Sequence, residues 1–161
     1  MTLPFNQVFE TPFRFDVGLD EVDPDVSMAA RRDGRIMGLL VESLLAPKVA
    51  QYGYRHAPSK EYDYQSINTT FHLECKGANH RGTNLSPSNM IGKGRAYDHE
   101  KFVETSVAKH YMVVDTTPAA QGKLRYMFLE GTQVAKMEAK KQGRLSAAEV
   151  KVLFENATKS N

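Results

Sequence analysis

What the chain lacks narrows its chemistry first. It holds a single cysteine, Cys75, so no internal disulfide can form and a reducing compartment suits it. No apolar run approaches the roughly 20 residues of a membrane-spanning helix, and no basic stretch followed by an apolar one opens the N-terminus. Both point to a cytoplasmic protein without membrane association. A G-x-S-x-G elbow, a Walker phosphate loop, an H-E-x-x-H helix and a dinucleotide fingerprint are all missing, which sets aside the common serine hydrolase, nucleotide-binding and zinc-protease chemistries. Gly92-Lys93-Gly94-Arg95 has the composition of a phosphate-binding fragment without its spacing. Large net charge is absent too: +2 is too small to declare a nucleic-acid partner by itself. No repeat is present.

What is present fits one domain: 161 residues, 41% hydrophobic and 25% charged, enough to bury a single core. Charge is unevenly spread. Residues 7–28 carry Glu10, Asp16, Asp20, Glu21, Asp23 and Asp25 against Arg14, whereas 76–95 carry Lys76, His80, Arg81, Lys93 and Arg95 and no acid. Residues 1–27 read as an irregular, proline-punctuated arm with one short strand around 13–17. Its four phenylalanines should pack on the body or on a second subunit. The core spans 28–135. Its first helix, from Ala29 to about Gln51, shows a broad apolar face (Ile36, Met37, Leu40, Val41, Leu44, Leu45) that predicts a largely buried element. Pro47 should kink or end that helix near Ala46, and Tyr52-Gly53 supplies a C-terminal cap. A second helix is expected over 98–110, with His99 and His110 as surface residues, then strands at 111–115 and about 124–129. The capping box Ser146-x-x-Glu149 starts a last helix over 145–158.

The most informative stretch is Glu61 to Lys76. Strand alternation puts Glu74 and Lys76 on one face and Phe71, Leu73 and Cys75 on the other, which is the core side. If Ser66–Asn68 turns the chain back, Asp63 on the neighbouring strand converges with Glu74. Two carboxylates brought together repel unless a cation lies between them, and hard oxygen ligands suit Mg²⁺, with Mn²⁺ able to substitute. Lys76 then adds a positive charge beside the metal. Glu42 lies on the first helix with Gly38 and Ala46 one turn to either side, open to close approach by a ligand. Residues 77–95 are rich in Gly, Asn and Ser. Asn79, His80, Arg81 and Asn84 carry groups used on base edges, and Lys93 and Arg95 suit phosphates.

Asp63 followed after ten residues by Glu74-x-Lys76 resembles the signature of the PD-(D/E)XK nuclease superfamily, which includes type II restriction endonucleases. Tyr62 stands where that pattern has proline, and Glu61 competes as the first acid. The resemblance implies an α/β (mixed α+β) fold: a restriction-endonuclease-like core with a central mixed β-sheet flanked by helices, built as helix, three-strand meander, helix, strand. It implies a prokaryotic or phage-like enzyme that hydrolyses phosphodiesters of double-stranded DNA, acting as a homodimer. Asp63, Glu74 and the Cys75 carbonyl would hold Mg²⁺, Lys76 would activate or orient water, and Glu42 would assist from the helix. Two alternatives stand beside it: a structure-selective nuclease such as a Holliday-junction resolvase, and a non-catalytic nucleic-acid-binding protein in which Asp63, Glu74 and Lys76 form an ordinary ion pair.

Overall fold

The computed structural model describes residues 2–14, 23–25, 34–57 and 63–159. Strands are β1 (Val8–Pro12), β2 (Tyr54–His56), β3 (Tyr64–Ser66), β4 (His72–Ala78), β5 (Thr83–Asn84), β6 (Lys109–Asp115), β7 (Lys123–Leu129) and β8 (Arg144–Leu145). Helices are α1 (Gly34–Ala50), α2 (His99–Val107), α3 (Gly131–Ala135) and α4 (Ala147–Lys159). A six-stranded mixed sheet in the order β1-β7-β6-β4-β3-β2 forms the centre, and β5 pairs with β8 in a small second sheet. The expected mixed α/β fold is therefore what this chain adopts.

β2, β3 and β4 form an antiparallel meander, and β4 pairs in parallel with β6 from His72↔Lys109 to Ala78↔Asp115. Parallel neighbours cannot be joined by a tight turn, so the chain between them crosses over one face of the sheet through α2. Each sheet face buries its own core. Leu73 and Cys75 of β4, Met112 and Val114 of β6, and Tyr126 and Phe128 of β7 pack with Val41, Leu45 and Val49 of α1. On the opposite face, Ala78, Tyr111, Val113, Met127 and Leu129 pack with Phe102 of α2, Val134 of α3, and Val150 and Phe154 of α4.

Several sequence expectations hold. Ser146 Oγ accepts from the Glu149 N–H and Glu149 Oε1 from the Ser146 N–H, so the capping box forms as expected. Gly53 takes φ +82° after α1, the left-handed conformation that a C-terminal cap requires. Phe9 stacks on Tyr126 and Phe13 is buried, so the N-terminal arm packs on the body. Among the described residues no helix is long and apolar enough to cross a membrane.

Other expectations need correction. The arm's strand is β1 at 8–12 rather than 13–17, whose last three residues lie outside the described residues. It pairs with β7 alone among the described strands, and a sheet edge tolerates Pro12, which has no N–H to donate. Pro47 lies inside α1 without ending it, because Leu45 and Val49, both fully buried, hold the last turn against the sheet and offset the lost hydrogen bond. Nor is α1 largely buried: Val41, Leu45 and Val49 face the core, while Ile36, Leu39, Leu40 and Leu44 are exposed. The expected helix start at 29–33 lies outside the described residues. The second helix ends at Val107, so Lys109 and His110 belong to β6. His110 is not a surface histidine: its ring stacks on Phe71 at 4.6 Å, meets Phe5 edge-on at 4.8 Å, and its Nδ1 accepts from the Gly131 N–H.

That last contact marks a tight junction. A Cβ on Gly131 would lie 1.9 Å from the Lys109 carbonyl oxygen and 2.0 Å from that of Ser106, so α3 can begin against α2 and β6 only with glycine there. Gly131→Ala should cost about 1–3 kcal/mol, the usual penalty of overpacking. Urea denaturation followed by circular dichroism checks this, and an unchanged midpoint would refute the close approach.

Candidate active site

The site arises from a mismatch in strand length. β3 meets β4 only at Tyr64↔Leu73 and Gln65↔His72, whereas β4 runs on to Ala78. Past Leu73 the chain of β3 has departed, and the Asp63 carboxylate takes its place: Oδ2 accepts from the Cys75 N–H at 2.7 Å. The turn at 67–70 thus brings Asp63 back to β4, as the sequence suggests. Glu61, the rival first acid, lies outside the described residues.

Glu42 arrives from α1. The Tyr64 hydroxyl donates to the Glu42 backbone carbonyl at 2.5 Å, fixing the helix to β3 at that residue. His56 Nε2 stands 3.5 Å from Glu42 Oε2. A hydrogen-bonding interaction between the Glu42 and Asp63 carboxyls favours the proton on Asp63, raising Asp63 and lowering Glu42. Burial first, and that hydrogen bond second, push Asp63 up to about 7, against the opposing pull of the Cys75 N–H and the Lys76 charge. Glu42 is also raised, by burial and by the charge of Glu74, with its hydrogen bond to Asp63 acting the other way. Without a cation, then, this pair of acids holds a proton that isolated carboxylates would lose.

Glu74 and Lys76 lie on the far face of β4. Glu74 Oε1 is 3.5 Å from Lys76 Nζ and Oε2 is 3.7 Å from Lys109 Nζ. Oε2 is buried and accepts no hydrogen bond. Lys76 Nζ donates to the Ser86 carbonyl at 3.0 Å. Burial lowers the pKa of Lys109, and Glu74 partly restores it. Two lysines therefore flank one carboxylate without either closing to the roughly 2.7–2.9 Å of a charge-assisted hydrogen bond. Cys75 packs against the α1 core, and burial pushes its thiol well up, with neighbouring carboxylates adding to the effect. A thiol in that state is no nucleophile.

Residues 77–95 form an ordered segment, not a free loop. Asn79 bridges Gly82, β5 pairs with β8, and Leu85 and Ser86 are buried. Asn79 Oδ1 accepts from the Arg81 N–H and Asn84 Oδ1 from the Ser86 N–H, so both side-chain acceptors already serve local turns. Asn79, His80 and Arg81 line a cavity of about 710 Å³ with Glu42 and Cys75. Arg95 lines a second cavity, of about 580 Å³, with Glu74, Lys109 and His72. Its guanidinium also donates to the carbonyls of Ser88 and Ile91. Asn84 and Lys93 line neither cavity. The residues expected to meet DNA thus divide between the two sides of β4.

Lys109 and His56 carry no sequence signal for the site. The helical composition of 98–110 conceals that Lys109 starts β6, and His56 has no spacing to Glu42 that a pattern could show. Comparison with protein-family models, with curated proteins and with solved structures finds no match for this chain.

Because Asp63 is raised from an ordinary value of 3.8 to about 7, the folded state holds its proton more tightly than the unfolded chain. The resulting stability is complete below about pH 4 and is lost as pH rises through about 7. In chelator, the melting temperature should fall across that window. Asp63→Asn mimics the protonated acid, donating to Glu42 and accepting from Cys75, so it should flatten the fall and exceed the wild type at pH 8. Parallel pH profiles of the two proteins would disprove the shared proton.

Proposed function

We propose that this protein is a Mg²⁺-dependent endonuclease of the PD-(D/E)XK kind, hydrolysing phosphodiester bonds in double-stranded DNA. One observation carries the reading: Glu42 from α1, Asp63 just before β3, and Glu74 and Lys76 on the far face of β4 all border β4 where β3 parts from it. Further support comes from chain order, since α1, the β2–β3–β4 meander, the α2 crossover and parallel β6 follow the plan the sequence resemblance implies.

Magnesium fits this donor set. Among the described residues no group of three or more His, Cys, Asp or Glu is arranged as a ready metal cage, but Mg²⁺ usually binds through one or two carboxylates with water and substrate phosphate completing the shell. Glu74 Oε2 lacks a hydrogen bond, and Asp63 and Glu42 hold a proton where a cation would relieve their repulsion. Asp63, Glu74 and the Cys75 carbonyl would hold the ion, with Glu42 assisting. When bound, Mg²⁺ supplies Lewis acidity at the scissile phosphoryl group.

The chain's own residues do the rest. Asp63 must release its proton for the ion to bind, so affinity for the cation rises with pH through about 7. Lys76, steadied by the Ser86 carbonyl, orients the attacking water and offsets negative charge that develops on phosphorus. One copy carries one such site, so cutting both strands of a duplex calls for a two-fold dimer, which matches a palindromic target. On this reading the protein is a type II restriction endonuclease.

The test is incubation of purified protein with mixed plasmid and phage DNA, in Mg²⁺ and in EDTA. Discrete fragments in Mg²⁺ alone are expected, with Lys76→Ala slower by at least about 10²-fold, the scale of losing one group that stabilises transition-state charge. Intact duplexes alongside a cut four-way junction would transfer the assignment to a structure-selective resolvase. If no nucleic acid is cut, Glu74 and Lys76 are a structural pair and the catalytic reading is wrong.

A further inference from the structure

Resting on the nuclease reading, we infer that the cavity behind Glu74 is a second phosphate subsite, in which Lys109 and Arg95 hold a non-scissile phosphate of the polynucleotide. Neither the sequence pattern nor the resemblance assigns Lys109 any role.

The case begins with the condition of Lys109. Its side chain is only 10% exposed, and a buried ammonium is costly unless closely paired. Its carboxylate partner, Glu74 Oε2, stands at 3.7 Å and has no hydrogen bond. The Tyr111 ring, 5.3 Å from Nζ, gives a second, weaker source of stabilisation. A structural ion pair so enclosed would be expected to close to hydrogen-bonding distance. Here charge is held apart on the wall of a cavity of about 580 Å³, which leaves ammonium donors for a third group.

The lining indicates what that group is. Among the described residues Glu74 is its only acid, set against His72, Arg95 and Lys109, with Ser88 and Asn89 adding hydroxyl and amide donors. An anion rich in acceptor oxygens suits this set, and phosphate is the anion that adjoins a scissile phosphodiester. The cavity is continuous with the proposed catalytic group through Glu74 itself. A phosphate held here would fix the strand's register against Lys76 without reading its sequence.

The experiment is anisotropy of a fluorescein-labelled DNA duplex bound by the full chain in EDTA, where no cleavage occurs, over a range of salt concentrations. Removing one cationic group that neutralises a phosphate should lower the slope of log K against log salt by about 0.9. Lys109→Met should show that drop with several-fold weaker binding, and Lys109→Arg should restore both. Arg95→Ala, at an exposed position, reads the same cavity should Lys109→Met fail to fold, and is expected to lower the slope likewise. If the wild type binds DNA but the folded variants keep its slope, the subsite is wrong while the nuclease reading survives. If the wild type binds no duplex, single strand or junction, the nuclease reading falls as well. Thermal protection by inorganic phosphate, abolished in Lys109→Met, would then keep the anion site but overturn its assignment to a polynucleotide.

Discussion

The parallel pairing of β4 with β6 is the constraint on which the rest depends. It demands a crossover, and the crossover must supply both α2, which covers one sheet face with Phe102, and the ordered run that returns from Ala78. The register that aligns Leu73 with His110 places Lys109 on the same face as Glu74. Shifting β6 by one residue would turn Lys109 away and push Tyr111 and Val113 out of their core. The burial of two apolar side chains therefore fixes the position of a charged one. The crossover run is itself tied to the C-terminal part of the chain: Leu85 N–H donates to the Gly143 carbonyl and Ser86 Oγ to that of Gln142. Lys76 leans on the Ser86 carbonyl, so its position is set from two distant parts of the sequence.

A second constraint follows from gathering charge where water is scarce. Glu42, Asp63 and Glu74 converge with Lys76 and Lys109 around one strand, and none is fully exposed. Two acids answer by holding a proton, and one lysine by a lowered pKa. The third acid remains between two ammonium groups without a hydrogen bond on Oε2. A fold selected only for stability has little use for such a set, because apolar residues of similar volume are often as stable or more so. Its presence in a small domain is consistent with the proposed binding of a charged ligand.

Much of this is legible in the sequence because it is local. Alternation along 71–76 gives the faces of β4 directly, the Ser146–Glu149 spacing announces a helix start, and the acid-turn-strand order brings Asp63 back to β4, where it meets the Cys75 N–H. What stays hidden is non-local or competitive. α1 carries apolar residues around much of its circumference, and only the sheet decides that Val41, Leu45 and Val49 turn inward. Pro47 signals a break that packing overrides. The end of α2 is invisible because Ala108-Lys109-His110 continues a helical composition, and only pairing with His72 draws Lys109 into a strand. Residues 77–95 look like a free loop by composition, and their order comes from β8, far along the chain.

β4 also separates two environments that a linear sequence merges. On one side Glu42, Asn79, His80 and Arg81 border a cavity; on the other, Glu74, Lys109 and Arg95 border a second. Asp63 belongs to the seam between them, because its carboxylate binds the Cys75 N–H in the plane of the sheet rather than above or below it. On the proposed nuclease reading, a backbone laid across that seam would meet cationic and polar groups on both sides of the carboxylates, with Lys76 close to the cut. Specificity then need not come from one reading loop, because Asn79 and Asn84 already spend their carbonyl oxygens on turns. The groups still able to meet a strand are those on the cavity walls, and they lie to either side of the acids, as a substrate that extends both ways from the scissile bond would require.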